Sequence, residues 1–406
     1  MQTRLPQDIS KDSLSVTAAG LIGRCVHCGF CNATCPTYQL LGDERDGPRG
    51  RIHLIKQMLE GDSTSASTQQ HLDRCLTCRA CESTCPSGVE YGKLVDLGRE
   101  VLARRALRPW RERLRRRWLA DFLTSRLFGP ALRLGQWLRP LLPARLAARV
   151  PARVKRGQWP RQQHARRVLL LGGCVQPALS PDLNACTARV LDALGVEVII
   201  APDAGCCGAL HQHLDQQSTA RDQARRNIDA WWPLVEAGAE AVVFNATGCG
   251  TQLAEYGWLL RDDPAYAPRA ARISELSKDV SAVLAPLTSR IGELCAGAAP
   301  ERLAFHAPCS LQHGLKSRGV VESLLTAAGA TLSPVRDSHL CCGSAGTYSL
   351  LQPELSTRLR DARLEALQEG SPTRILSANI GCMVQLGSAA PVPVIHWIQW
   401  LEERLR

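Results

Sequence analysis

The sequence predicts an α + α/β chain: a cysteine-rich helical module, a basic helical connector, and an α/β domain that occurs twice with pseudo-two-fold symmetry. Three observations carry this. The run CVHCGFCNATCP at 25–36 returns as CLTCRACESTCP at 75–86, with one C-x2-C-x2-C-x3-C-P spacing. Between Arg99 and Arg167 stand 20 Lys and Arg against 3 Asp and Glu, so the rest of the chain is acidic on balance although the whole carries +11. From Arg166 onward, short apolar runs alternate with helical stretches, and a C…CCG…GC cysteine pattern occurs twice. The expected segments are 1–98, 99–165, 166–300 and 301–406.

In the first segment, a polar lead-in carries a short helix ending near Gly23. Each cysteine run places three closely spaced thiolates around one corner of a [4Fe–4S] cubane, and in two-cluster ferredoxins the fourth cysteine of a run serves the other cluster. The expected ligand sets are therefore Cys25, Cys28 and Cys31 with Cys85, and Cys75, Cys78 and Cys81 with Cys35. A single run would be compatible with zinc; two identical runs point to iron–sulfur. The 39 residues between Cys35 and Cys75 exceed a compact hairpin. Arg51–Glu60 reads as a helix with Ile52, Ile55 and Leu59 on one face, so a helical two-cluster module is expected. Arg49 and Arg51 are either cations beside an anionic cluster or a solvated helix start. Leu94, Leu97, Val101 and Leu102 define the inner face of the next helix.

The chain has 18 cysteines, of which only Cys186 and Cys295 fall outside the two patterns. Patterned thiols of this kind read as metal ligands in a reducing compartment. No stretch approaches the roughly 18 apolar residues of a membrane span, and no apolar leader is visible, so a cytoplasmic location is expected. No G-x-G-x-x-G follows a strand, no P-loop occurs, and no flavin site is evident. Substrate oxidation is therefore expected on a cofactor held by another chain.

The connector mixes arginines with Trp110, Leu114, Trp118, Phe122, Leu127, Phe128, Trp137 and Leu138. A basic amphipathic helix with tryptophans docks on an anionic membrane surface or a partner, or packs on its own chain. Nucleic acid also attracts such charge, but no base-reading module accompanies it, and no nucleic acid is expected.

In the duplicated part, strands are expected over 168–174, VEVIIAP, 241–249, 303–309, 374–382 and PVIH, with helices between them. Cys174, Cys206, Cys207 and Cys249 follow strand ends in the first half; Cys309, Cys341, Cys342 and Cys382 do so in the second. Single cysteine to pair spans 32 positions in both halves, and pair to last cysteine spans 42 and 40. Ligands collect at carboxyl ends of parallel strands, and a duplication favours a site at the pseudo-two-fold interface. Gly208 and Gly343 permit the sharp bend that lets adjacent thiols face one site. Three readings stand: a third iron–sulfur centre held by one or both halves, a thiolate-rich zinc or dithiol site, or a metal-free scaffold. His306, His313 and His339 are candidate supporting donors or proton carriers.

Two CxxCxxCxxxCP runs followed by two CCG repeats resemble the iron–sulfur subunits that work with flavin dehydrogenases of 2-hydroxy acids. CVHCGFCNATCPTYQLLGDERDGPRGRIHLIKQMLEG, HLDRCLTCRACESTCPSGVEYG, NIDAWWPLVEAGAEA, DSHLCCGSAGTY and SANIGC are similar to the glycolate oxidase branch in particular. The resemblance implies a complex with flavin-binding subunits that oxidises glycolate to glyoxylate, and D-lactate less readily. It also implies electron delivery to a respiratory acceptor, quinone, from the cytoplasmic membrane face. Lactate and anaerobic glycerol-3-phosphate dehydrogenase subunits share the architecture; a non-redox zinc scaffold docking to membrane or nucleic acid is the alternative of another class. The fullest CCG pattern ends in C-x-x-C, whereas here Gln252 and Gln385 occupy the last position, so each half has four thiols and lacks the fifth of a non-cubane double cluster.

Overall fold

The computed structural model describes residues 1–62, 64–105, 108–143 and 150–405. Helices Ser13–Gly23, Pro48–Leu59, Ala66–Asp73 and Tyr91–Arg105 enclose one apolar core containing Ile22, Ile55, Leu59, Leu72, Leu94 and Leu97. The first is capped by Asp12, whose carboxylate accepts from the Ser15 backbone N–H at 3.0 Å. The Pro48–Leu59 helix begins three residues before the expected Arg51, because Pro48 has the helical φ and needs no donor in the first turn.

The duplicated region holds two four-stranded parallel sheets. The first comprises β1 (Arg166–Leu170), β2 (Val196–Ile199), β3 (Val242–Phe244) and β4 (Ser277–Asp279), in the order β2-β1-β3-β4. The second comprises β5 (Glu301–His306), β6 (Ala330–Leu332), β7 (Arg374–Ser377) and β8 (Val394–His396), in the matching order β6-β5-β7-β8. Leu169 lies opposite Val242 across β1 and β3, and Ala304 opposite Ile375 across β5 and β7, so the halves share register as well as order. Both faces of these sheets are covered, which is why the central strands carry apolar runs such as Val242–Phe244, and Val168–Leu170 and Leu303–Phe305 behind the charged first residues of β1 and β5.

One core runs across both halves and contains Leu170, Leu191, Phe305, Leu325, Trp397 and Trp400. The closing helices are exchanged. Trp397–Leu405 of the second half packs on Leu183–Ala193 of the first, fastened by Arg189 to Glu402 at 2.7 and 3.0 Å. Val280–Leu284 of the first half packs on Val320–Ala327 of the second. This exchange makes the pseudo-two-fold relation a packing fact.

Several local expectations shift. β1 stops at Leu170, short of Cys174, and β4 and β6 were not anticipated; β4 follows a helical pattern and is a strand because β3 pairs with it. Cys249 and Cys382 sit in the first turns of helices Thr247–Ala254 and Ile380–Gly387, not on strands.

The connector forms helices Trp110–Thr124 and Phe128–Leu138, with 106–107 and 144–149 outside the described residues. Its buried side is charged. Arg108 reaches Asp73 at 2.6 and 2.7 Å and Asp215 at 3.0 Å, and Arg116 reaches Asp73 at 2.9 Å. Trp110, Leu114 and Trp118 face outward, 63%, 59% and 58% exposed. The connector therefore packs on its own chain through charge: acidic residues of the body attract Arg108 and Arg116, and Trp110 and Trp118 are left outside.

Candidate metal centres

The two cysteine runs adopt one backbone. His27 (φ 57°) and Gly29 (φ 85°) in the first, and Thr77 (φ 54°) and Arg79 (φ 61°) in the second, are left-handed at equivalent positions flanking the second cysteine. For a β-branched residue such as Thr77 this costs about 1–2 kcal/mol, strain of the sort that gathers at functional loops. Cys35 and Cys85 are extended, with ψ 112° and 114°. The following proline disfavours the helical region for each, and the chain is carried out of its own loop.

The consequence is a pair of thiol-lined cavities. One, of about 430 Å³ of atom-free space, is bordered by Cys25, Cys28, Cys31 and Cys85; the other, of about 290 Å³, by Cys35, Cys75, Cys78 and Cys81. They share a wall formed by Pro48, Cys81 and Tyr91. Burial pushes the Cys31 thiol up to about 11, and raises Cys78 and Cys81 as well. Such thiols ionise readily only when a cationic centre enters among them, so the donor set fits iron–sulfur clusters.

The two arginines near the first run part company. Arg51 is 1% exposed, and its Nη1 lies 3.9 Å from the Cys35 Sγ while its Nη2 donates to Thr37 Oγ1 at 3.1 Å. Arg49 is half-buried, paired to Glu44 at 2.6 Å, and borders the first cavity. Two further residues were not singled out from sequence. Arg99 donates to the carbonyls of Leu72 and Cys75, both at 2.8 Å, and braces the second loop; its helical spacing from Val95 and Leu102 was the available signal. Asp46, fully buried, accepts from Arg51 at 3.4 Å and Arg74 at 2.9 Å, and the His71 Nδ1 lies 3.0 Å from it.

The CCG thiols gather by halves, four and four. In the first, Cys206 has side-chain contacts with Cys174, Cys207 and His211, and Cys207 with Cys249. In the second, Cys309 and Cys341 have Sγ atoms 3.9 Å apart, and Cys342 touches Cys341 and Cys382. The contact with Cys341 and burial push the Cys309 thiol up. The second quartet borders a cavity of about 750 Å³ whose wall also includes Cys78, Arg79 and Gln252. Gly208 and Gly343 are left-handed (φ 93° and 82°), and a Cβ at Gly343 would lie 2.6 Å from the Ser356 carbonyl oxygen. Gln252 donates to Gln212 at 2.7 Å and Gln385 to the Ser356 hydroxyl at 2.7 Å, so the amides replacing a fifth cysteine bond to protein.

The three histidines divide. A ring nitrogen of His306 lies within 4.8 Å of the Cys342 and Cys382 sulfurs. His313 instead bridges segments, its Nε2 donating to the His339 carbonyl at 3.0 Å and its Nδ1 accepting from Ser83 Oγ at 2.8 Å. His339 enters through that carbonyl.

Comparison with known proteins agrees with this layout. Residues 22–89 match the 4Fe-4S dicluster domain, and residues 168–254 and 303–387 each match the cysteine-rich domain named for its CCG unit. The chain is 50% identical to the glycolate oxidase iron-sulfur subunit of Escherichia coli K12, covering 100% of this chain and 99% of that protein. It is 31% identical to the "Probable glycolate oxidase iron-sulfur subunit" of Bacillus subtilis, covering 95% and 94%. Lactate utilization protein A of an Exiguobacterium strain is 25% identical over 59% of this chain and 98% of its own length.

Proposed function

The chain belongs to the family of glycolate oxidase iron–sulfur subunits, and from that premise we propose that it carries electrons from a flavin-binding partner subunit to a respiratory acceptor, a quinone, while glycolate becomes glyoxylate. D-lactate is the secondary substrate of the proposed complex. The observation that carries the reading is the succession of cavities: the first and second meet at Cys81, and the second and the CCG cavity share Leu76, Cys78 and Arg79. The cluster ligands are Cys25, Cys28, Cys31 and Cys85 in one site, and Cys75, Cys78, Cys81 and Cys35 in the other. Cys309, Cys341, Cys342 and Cys382 hold a third centre.

A [4Fe–4S] cluster supplies reversible one-electron uptake. The protein's own part is placement and electrostatics. Tyr91, Leu76 and Val89 are buried beside the first two cavities and exclude water. Arg51 sets a fixed cation against Cys35, which favours added negative charge in a low-dielectric site.

Among the described residues no helix is long and apolar enough to cross a membrane. The proposed contact with the cytoplasmic membrane face is peripheral, through Trp110, Leu114 and Trp118 flanked by the exposed Arg111, Arg115 and Arg117.

The test combines growth and analysis. Deletion of the gene is expected to abolish growth on glycolate while growth on other carbon sources continues, and the complex purified anaerobically is expected to contain iron and acid-labile sulfide reducible by glycolate. Unimpaired growth on glycolate, or a colourless protein holding zinc without sulfide, overturns the proposal.

A further inference from the structure

The two CCG halves are alike in backbone and unlike in charge. Counting from the single cysteine, His306 in the second half corresponds to Leu171 in the first, since each precedes its cysteine by three positions. On the long helix beneath each CCG turn, Gly208 lies against Ala220 and Gly343 against Ser356. That register matches Arg363 with Asn227. The first half therefore has a leucine and an amide where the second has an imidazole and a guanidinium.

The second-half pair is completely enclosed, with His306 0% and Arg363 3% exposed. Arg363 donates from Nε to His306 Nδ1 at 3.1 Å, and from Nη1 to the carbonyls of Arg336 and Asp337 at 3.1 and 2.9 Å. With Nδ1 accepting, the proton of the neutral ring stands on Nε2. That N–H and the Arg363 Nη2 are both buried without a protein partner. Leaving two such donors unmatched is costly, and a ring nitrogen of His306 lies within 4.8 Å of the sulfurs of Cys342 and Cys382, which can accept once they carry negative charge. The sulfurs of Cys341, Cys342 and Cys382 lie within the electrostatic reach of Arg363. In the first half, Asn227 has its amide fully engaged, with Cys206 O at 2.9 Å, Tyr256 Oη at 3.0 Å and Gly205 N at 2.8 Å. His211, the histidine near Cys206, is offset by Asp121 at 3.2 Å.

We propose that Arg363 and His306 are positioning residues that make the second-half quartet, and not the first, the electron-accepting CCG centre, by raising the reduction potential of the group it holds. Each electron taken up adds one negative charge to that group; it arrives from the dicluster module across the Cys78 wall and leaves to the quinone-class acceptor. A fixed buried cation and an N–H donor to ligand sulfur both stabilise the reduced state. The inference rests on the proposal above that this quartet holds a third centre.

The experiment is an EPR-monitored redox titration of the anaerobically purified complex, with iron counted in parallel. Wild type is expected to show about twelve irons and three signals, against about eight irons for two cubanes alone. Arg363→Gln and His306→Leu are expected to lower the midpoint of the third signal and leave the other two unmoved. Arg363→Lys and His306→Gln, which retain a cation and an N–H donor, are expected to restore most of the shift. An unmoved third midpoint in Arg363→Gln and His306→Leu overturns the role of the pair. So does loss of the third centre's irons in Arg363→Lys as well as in Arg363→Gln, because the arginine is then purely structural. Eight irons and two signals in wild type instead overturn the underlying assignment of the quartet.

Discussion

Arg79 and Glu255 form a two-pronged ion pair, 2.5 and 2.6 Å, between residues 176 positions apart. Arg79 is the left-handed residue that follows Cys78, so the loop bordering the second cavity is tied directly to the first CCG half. Both side chains are largely buried. Removing one partner strands the other charge, and Arg79→Ala or Glu255→Ala is expected to cost about 3–5 kcal/mol. Chemical unfolding of the metal-loaded protein measures this, and the double variant is expected to lose less than the two singles combined.

The proposed exchange of the fourth cysteines has a direct spectroscopic consequence. Cys85→Ala is expected to remove the signal of the site bordered by Cys25, Cys28 and Cys31, although Cys85 belongs to the other run. Cys35→Ala is expected to remove the signal of the site bordered by Cys75, Cys78 and Cys81. EPR of the reduced variants checks this; loss of the own-run signal contradicts the exchange.

The inverted connector separates stability from docking. Arg108→Ala breaks buried pairs with Asp73 and Asp215 and is expected to destabilise the protein by about 3–5 kcal/mol. Trp110→Ser with Trp118→Ser touches exposed positions and is expected to shift stability by no more than about 0.5 kcal/mol per site. The tryptophan variant is nevertheless expected to lose cosedimentation with anionic vesicles, whereas unchanged cosedimentation contradicts the membrane contact.

Asp279, at the end of β4, gives a pH signature. Burial pushes its carboxyl up to about 6, although Ser281 donates to it from N and Oγ. A carboxyl with a raised folded pKa favours the folded state most below its unfolded value, and that advantage is lost as pH rises through about 6. Asp279→Asn retains the helix-capping oxygen and removes the charge. It is expected to raise stability at pH 8 by up to about 3 kcal/mol and to have little effect at pH 4, as read from unfolding at both values.

How far the sequence reaches depends on the range of the interaction. The helical module, the connector helices and most strands of the duplicated region were legible because periodicity and cysteine spacing are local. β4 was not, since Ser277–Asp279 is extended only by pairing with β3. The cysteine sets around the first two cavities were foreseeable from spacing and the following prolines. Arg99 and Asp46 were not, because an arginine in a basic stretch and an aspartate in a loop look solvated until the fold buries them.

The sequence by itself determined the cysteine runs, the duplication, and the left-handed turns at Gly208 and Gly343, all of which are set by backbone sterics over a few residues. Only the tertiary structure decided that the eight CCG thiols form two quartets, that Cys78 faces the second of them, and that Arg108 turns inward while Trp110 turns out. Those outcomes depend on which charges and thiols distant segments bring together, and a buried ion pair or a shared cavity wall has no periodicity for a sequence to display.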